Sequence, residues 1–465
     1  MARLAELFSP KDMTVGTPWK RIVEFSIPML IGNVAQQLYN TVDSIVIGRY
    51  LGDNALAAVG NTFSVINLLL VLFVAVSTGA SIMVSHYFGA KDREKLSRTI
   101  GVCITLTAAV STILMVISPF VIRPILVFIK TPETIIDWSE SYLLILMIGN
   151  WGSSYFNILS GILRGLGDSL SALVFLLIST VLNIVLDIWF VAGLNMGVPG
   201  VALATIIAQM VSAVLCMFRL KNMDDVFDLN LSVMKPIKEY VLQLLKLGLP
   251  SGLTQVIFSL AMVTVQSLTN TFGELIIACN VIVMRVDGFA MMPNFTFGVT
   301  MTTFAGQNVG AKKLDRVEDG TRQGLAIAVG VSTIITIIIV IFGRYLMNVF
   351  TDTTELVDLS MKMMRILAVG YIAMAVSQVL SGVMRGAGDT VTPMWLSLIT
   401  TIFLRIPLAY GLAYLTRSPQ YPNGKPESLF ISLLIAWVLG AAITFFFYKK
   451  GNWRKKELLR NVQSE

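Results

Sequence analysis

The sequence predicts an all-α polytopic membrane protein: twelve transmembrane helices in two parallel six-helix lobes. Three observations lead there. Of the 465 residues, 55% are hydrophobic and only 14% charged, with a mean hydropathy of +0.75, whereas a soluble chain carries about 25% charge. Apolar segments long enough to cross a bilayer, about 20 residues each, recur twelve times. And a set of short motifs repeats along the chain at one fixed offset.

The predicted spans lie near 22–48, 54–84, 98–121, 138–162, 169–192, 198–218, 240–270, 275–307, 320–343, 357–383, 391–413 and 428–448. The loops between them alternate in charge. Lys91, Arg93, Lys95 and Arg98 crowd one, Arg219, Lys221, Lys235 and Lys238 a second, and Lys312, Lys313, Arg316 and Arg322 a third. The tail adds Lys449, Lys450, Arg454, Lys455, Lys456 and Arg460, whereas the alternate loops hold few cations, among them Arg123 and Lys130, Arg344, and Arg417 and Lys425. By the positive-inside rule both termini are expected in the cytoplasm, as an even span count requires, in a multi-pass plasma-membrane protein. The net charge of +7 therefore belongs to cytoplasmic loops. No run of basic residues interleaved with aromatics suggests a nucleic-acid partner.

The ends and the cysteines add little. The N-terminus lacks a short apolar core with a small-residue cleavage site, so no signal peptide is expected. Its Ala2–Phe8 segment is read as either a short surface helix or a loose tail. Cys103, Cys216 and Cys279 are odd in number and set in apolar segments, which predicts neither a disulfide framework nor a metal site. His86 is the single histidine and cannot build a metal cluster by itself.

The repeat sets the domain organisation. Ser160-Gly-Ile-Leu-Arg164-Gly-Leu-Gly-Asp168 recurs as Ser381-Gly-Val-Met-Arg385-Gly-Ala-Gly-Asp389, and 385 − 164 = 221. Gly89-Ala-Lys91 recurs as Gly310-Ala-Lys312, and Leu51-Gly-Asp53 as Phe272-Gly-Glu274, at the same 221. Each half holds an even number of spans, so the two enter the membrane in the same orientation, related by an axis along its normal with a central cleft between them. The expected divisions are an N-terminal lobe over 1–218, a cytoplasmic linker over 219–239, a C-terminal lobe over 240–448 and a basic tail over 449–465.

The Arg-Gly-x-Gly-Asp loops read as turns, with Asp168 and Asp389 capping the helices that follow. Arg164 stands close enough in sequence to pair with Asp168. Gly306-x-x-x-Gly310-Ala-Lys312-Lys313 is not a nucleotide loop: its spacing is one short and no Ser or Thr follows the lysine. Nothing in the chain points to ATP or another cofactor. Met291 and Met292 in the eighth span read as packing; were they to line a cleft, their adaptable side chains would suit varied apolar substrates.

The chemistry sits in the first and fifth spans. Gln36, Asn40 and Asp43 share one helix face, and intramembrane polar groups of this kind are costly unless they face a cavity or a partner. Asn183 and Asp187 share a face of the fifth span. Both spans run outward, placing Asp43 roughly 7 Å and Asp187 roughly 9 Å inside the outer edge, and Thr205 on the inward-running sixth span reaches the same layer. Positions 221 later are Thr264 and Leu408, so the shared fold does not demand the acidic pair. Two carboxylates together in low dielectric cannot both ionise cheaply. Such a pair can hold a proton, a sodium ion or an organic cation, each weakening the others. In the C-terminal lobe, Asp287 and Arg405 both fall near mid-membrane and are expected to pair, since an isolated charge there is expensive.

These features together, with Tyr39-Asn-Thr-Val-Asp43 and the paired Arg-Gly-x-Gly-Asp loops, resemble the multidrug and toxic compound extrusion (MATE) family over nearly the whole chain. Asp43, Asn183 and Asp187 resemble the cation-coupling residues of its DinF-type branch. The resemblance implies a V-shaped antiporter exporting small organic cations against proton or sodium entry, with the bilayer as its only other partner and a monomer as its state. It also places Gln36, Tyr39, Asn40, Asn157 and Thr205 in the surrounding polar network. Two other classes predict different residues. A lipid-linked glycan flippase of related fold should show several buried basic residues for a diphosphate, and only Arg285 and Arg405 lie deep in sequence. An enzyme or receptor would need an extramembrane domain, and no loop is long enough to form one.

Overall fold

The computed structural model describes residues 10–455; the Ala2–Phe8 segment and the tail residues Lys456 and Arg460 lie outside the described residues. Apart from one isolated bridge between Ser418 and Tyr421, the regular structure among the described residues is helical. Each of the twelve expected spans is a helix or a helix pair. The first three are α1 (Pro18–Leu51), α2 (Asp53–Gly89) and α3 (Arg93–Phe128). The fourth is broken into α4 (Glu133–Ile148) and α5 (Asn150–Gly165) at Gly149, where a Cβ would fall 2.2 Å from Ile206. Next come α6 (Ser169–Ile188), which runs into a π-helix over Trp189–Gly193, and α7 (Gly197–Lys221). The second half comprises α8 (Lys238–Asn270), α9 (Glu274–Gly310), α10 (Leu314–Asn348), and the pair α11 (Thr354–Ala368) and α12 (Gly370–Gly386), bent by 43°. It closes with α13 (Val391–Leu398), a π-helix over Ile399–Arg405, α14 (Ile406–Leu415) and α15 (Glu427–Lys450).

By length and apolarity, 8 helices among the described residues can cross a membrane, and the bent pair makes a ninth. The broken fourth span is divided into pieces of 16 residues, each shorter than the about 20 a span needs alone. Breaks of this kind leave no mark on an apolar pattern.

The chain divides into two compact units, and the division falls inside α1 and α8 rather than at the linker, which lies wholly in the first unit. One unit contains Ile27–Leu249 and the short segment ending at Asp12; the other contains Met13–Ser26 and the chain from Pro250 onward. The sequence boundaries at 218 and 240 thus differ from the contact boundaries at Leu249 and Pro250. The reason is local: the turn before α1 and the first turns of α1 are tied to second-unit residues, with Met13 N donating to Gln307 Oε1 at 2.9 Å, Trp19 N to Gln323 Oε1 at 2.9 Å, and Ser26 against Thr300 at 3.0 Å. The first turns of α8 belong to the first unit, where a Cβ on Gly248 would lie 1.9 Å from Ala75 O.

The duplication is written into backbone conformation. Gly52 and Gly273 (φ 83° and 92°), Lys91 and Lys312 (57° and 60°), and Gly167 and Gly388 (87° and 90°) are left-handed at paired positions 221 apart. Asp168 caps α6 through Ser171 N at 3.0 Å and Oγ at 2.7 Å. Asp389 does the same through Thr392 N at 3.3 Å and Oγ1 at 2.7 Å. One orphan backbone donor at each of these helix starts is thereby satisfied, as the turn chemistry predicts. The expected Arg164–Asp168 pair is not formed. Asp168 pairs with Arg219 Nε at 3.0 Å, because the end of α7 reaches back over the loop, while Arg164 donates to Ser160 Oγ at 3.4 Å.

The linker is docked rather than loose. Arg93 grips Asp228 through Nη2 at 2.8 Å and Nε at 2.9 Å, Thr105 donates to Met234 O at 2.6 Å, and a Cβ on Gly101 would lie 2.2 Å from Val233 O.

Candidate cation site in the first unit

The site is built on α1, α4, α6 and α7. Tyr39 and Asp43 lie one turn apart on α1 and Asn183 and Asp187 one turn apart on α6, so each pair shares a face. Asp187 and Asn183 are fully buried at 0% exposure. The carboxyl groups of Asp43 and Asp187 meet within hydrogen-bonding range. Asn183, with its amide oriented so that both ends are satisfied, donates to Asp187 Oδ2 at 3.1 Å and accepts from Thr205 N at 3.3 Å. Tyr39 donates to Thr205 Oγ1 at 3.4 Å, so Thr205 of α7 links the two acid-bearing helices, through its hydroxyl to α1 and its backbone N–H to α6. One oxygen of each acid, Asp43 Oδ1 and Asp187 Oδ1, is buried without a hydrogen-bond partner. A buried carboxylate oxygen left so is expensive unless something positive or protic joins it.

Sequence reasoning missed Tyr142. This buried side chain on α4 lies close enough to feel the charges of both acids and stands near Tyr39. It lies in an apolar run, Tyr142-Leu-Leu-Ile-Leu, with nothing around it to mark it as part of a polar chamber. Its ring belongs to a hydrophobic cluster with Ile47, Val191, Val198 and Val201 at the ends of the same helices. The π-helix directly after Asp187 widens that turn, a feature frequent at functional sites.

The other predicted members do not converge on the pair. Gln36 shares the face of Asp43 but makes no hydrogen bond to it, and Asn40 is exposed, its carbonyl accepting from Ser44. Asn157 is turned into α5, donating to Ser153 O at 2.8 Å, while its own carbonyl accepts from Ser77. Its position on the helix sets this: it lies closer to the Arg164 turn than to the depth of the acids. Among the described residues no three His, Cys, Asp or Glu side chains converge as a metal-ligand group. What the site offers is two acids ringed by hydroxyls and an amide.

In the second unit the expected Asp287–Arg405 ion pair is not made. Tyr371 donates to Asp287 Oδ1 at 3.0 Å and occupies the acid instead, while Arg405 remains near enough for Coulombic attraction only. Arg285, thought deep from sequence, is exposed. Met291 is a core residue, 5% exposed and packed with Val286, Ala290 and Tyr371; Met292 is half-buried.

A duplicated set of six spans per half, with buried ionisable groups facing one another inside one unit, defines a polytopic membrane transporter rather than an enzyme. Comparison with known proteins gives the family. A family model described as MatE matches residues 28–189 and 250–411, one copy in each half. The chain is 27% identical over 96% of its length to the probable multidrug resistance protein YoeA of Bacillus subtilis, covering 96% of that protein. It is 28% identical to the probable multidrug resistance protein YpnP of the same organism, across 96% of this chain and 98% of that one. A crystal structure of MATE in the straight conformation superposes with a TM-score of 0.87 at 25% identity, covering 98% of this chain and 100% of the other. The chain belongs to the MATE family of multidrug resistance transporters.

Proposed function

We propose that this protein is a secondary active antiporter that exports cationic and amphiphilic organic compounds in exchange for H+ or Na+, using Asp43 and Asp187 as the exchange site. The observation that carries the reading is the meeting of two carboxyl groups, Asp187 buried and Asp43 half-buried, each with one buried oxygen lacking a partner. When both acids are charged, they repel in low dielectric and attract a cation strongly. A proton shared between them, or a sodium ion coordinated by them, removes that attraction. An organic cation and the coupling cation therefore bind in mutual exclusion, which is the thermodynamic requirement for exchange. Asn183 holds Asp187 in place, and Tyr39 and Thr205 tie α1 to α7, so occupancy of the acids acts on the packing of three helices. The names of the relatives, multidrug resistance proteins, support organic compounds as cargo.

The test is ethidium efflux from proteoliposomes of purified protein with proton and sodium gradients imposed one at a time. Efflux driven by either gradient, and absent with neither, supports the proposal. Efflux that ignores both refutes it.

A further inference from the structure

The second unit encloses a cavity of about 100 Å³ between α8, α12, α13 with its π-helix, and α15. Arg385 and Arg405 both line it, together with Ser377, Gln378, Phe258 and Trp437, and no acidic residue does. From sequence, Arg385 was part of a turn motif and Arg405 half of an ion pair. The structure gives them a different relation: they are two cations facing one small space.

Neither is neutralised by contact. Arg405 Nε is buried with no hydrogen-bond partner, and among the described residues neither guanidinium has a carboxylate within ion-pair distance. The nearest acid to act on Arg405 is Asp287, already held by Tyr371. The balance is two positive charges against one negative, which leaves a single uncompensated charge in a low-dielectric wall. Such a charge is expensive, and a bound monoanion removes the expense. Arg405 is specific to this unit, since the position 221 earlier is Ile184, and it ends the π-helix that widens its span. Helical irregularities of that type are commonly kept where a side chain must be aimed at a site.

We infer that this cavity is a binding site for a singly charged carboxylate on an apolar body. The planar guanidinium fork matches a carboxylate in two-point geometry, Ser377 and Gln378 add neutral donors, and Phe258 and Trp437 supply apolar wall for the rest of the ligand. A phosphate dianion would overshoot the charge balance. The volume, room for several waters, suits a carboxylate with a ring beside it. In transport terms the site admits carboxylate-bearing compounds to the range of the exporter. That consequence rests on the export reading above; the binding itself does not.

The experiment measures binding, not transport, so the two readings fail separately. Purified full-length protein in detergent is titrated with sodium benzoate at constant ionic strength, followed by thermal shift, with benzamide and inorganic phosphate as parallel probes. Benzoate is expected to stabilise saturably while benzamide does not and phosphate binds more weakly. Arg405→Gln and Arg385→Gln are each expected to weaken benzoate about tenfold or more, and Arg405→Lys less. Should either Gln variant fail to fold, the comparison of the three probes on the natural chain stands alone. The inference is overturned if benzoate gives no saturable shift, if benzamide or phosphate matches it, or if its affinity is unchanged in a folded Arg variant.

Discussion

The paired glycines Gly161 and Gly382 occupy the same place in the repeat yet should respond differently to the same change. In the second unit, a Cβ on Gly382 would sit 2.2 Å from the carbonyl oxygen of Gly298, more than 1 Å short of ordinary contact. Backbone cannot step aside, so α12 and α9 must separate. A gap of 0.5–1 Å forfeits about a quarter to a half of each dispersion contact along the seam, and overpacking of this kind costs about 1–3 kcal/mol. In the first unit, the Cβ of Gly161→Ala would meet Ser77 Oγ at 2.3 Å and the Ser77 carbonyl only at 3.1 Å. The hydroxyl can rotate, at the expense of its 2.8 Å bond to Asn157 O, which is worth about 1 kcal/mol. Gly382→Ala should therefore lower the thermal midpoint in detergent two- to threefold more than Gly161→Ala. Adding Ser77→Ala should restore part of the Gly161→Ala loss. Equal losses at the two glycines, or no rescue by Ser77→Ala, would refute the argument from backbone against side chain.

Other outcomes follow from the same structure. Arg219→Gln should destabilise the protein by about 2 kcal/mol, below the usual 3–5 for a broken buried pair, because Asp168 keeps its two bonds to Ser171 and Arg219 is 23% exposed; thermal unfolding in detergent reads this. Arg93 holds the Asp228 carboxyl below the ordinary carboxylate range. The linker's anchorage is therefore complete above the unfolded pKa and is lost as pH falls through the lower folded one; proteolysis of the linker should accelerate there, and Asp228→Asn should give the same acceleration at neutral pH. Cysteines placed at exposed Glu94 and Pro422 should label from opposite faces of the membrane, with little background from the buried Cys103, Cys216 and Cys279; labelling from one side would contradict the twelve-span topology. Asp43→Asn and Asp187→Asn should each abolish coupled ethidium efflux at normal expression, with the double variant little worse because the two act as one unit.

Much of this was legible from residues. The offset of 221 located turns whose left-handed positions then coincide, because a tight turn constrains residue type locally. The acidic pair was legible because helix rise converts sequence position into depth, and both acids lie at the same depth. What escaped depends on side-chain reach and helix irregularity, which periodicity does not encode. Tyr142 gave no polar signal within its apolar run. Gly149 broke a span without altering its hydropathy. Tyr371, at the start of α12, took Asp287 from Arg405, and depth matching alone could not see a third group of the right length. Arg385 was masked by its turn motif, whose local chemistry explained it well enough to hide the cavity it lines.

Mutual exclusion at the acidic pair is the claim on which the account stands, and equilibrium binding tests it most directly. The affinity of purified protein for ethidium is measured across pH without sodium, then across sodium at fixed pH, for the natural chain and for Asp43→Asn and Asp187→Asn. Exchange at a shared site predicts that affinity falls with rising concentration of one of the two cations, approaching tenfold per tenfold in the competitive limit, and that neither variant retains the dependence. Ethidium binding that is indifferent to both proton and sodium, or that keeps its full dependence after both acids are replaced, would contradict it.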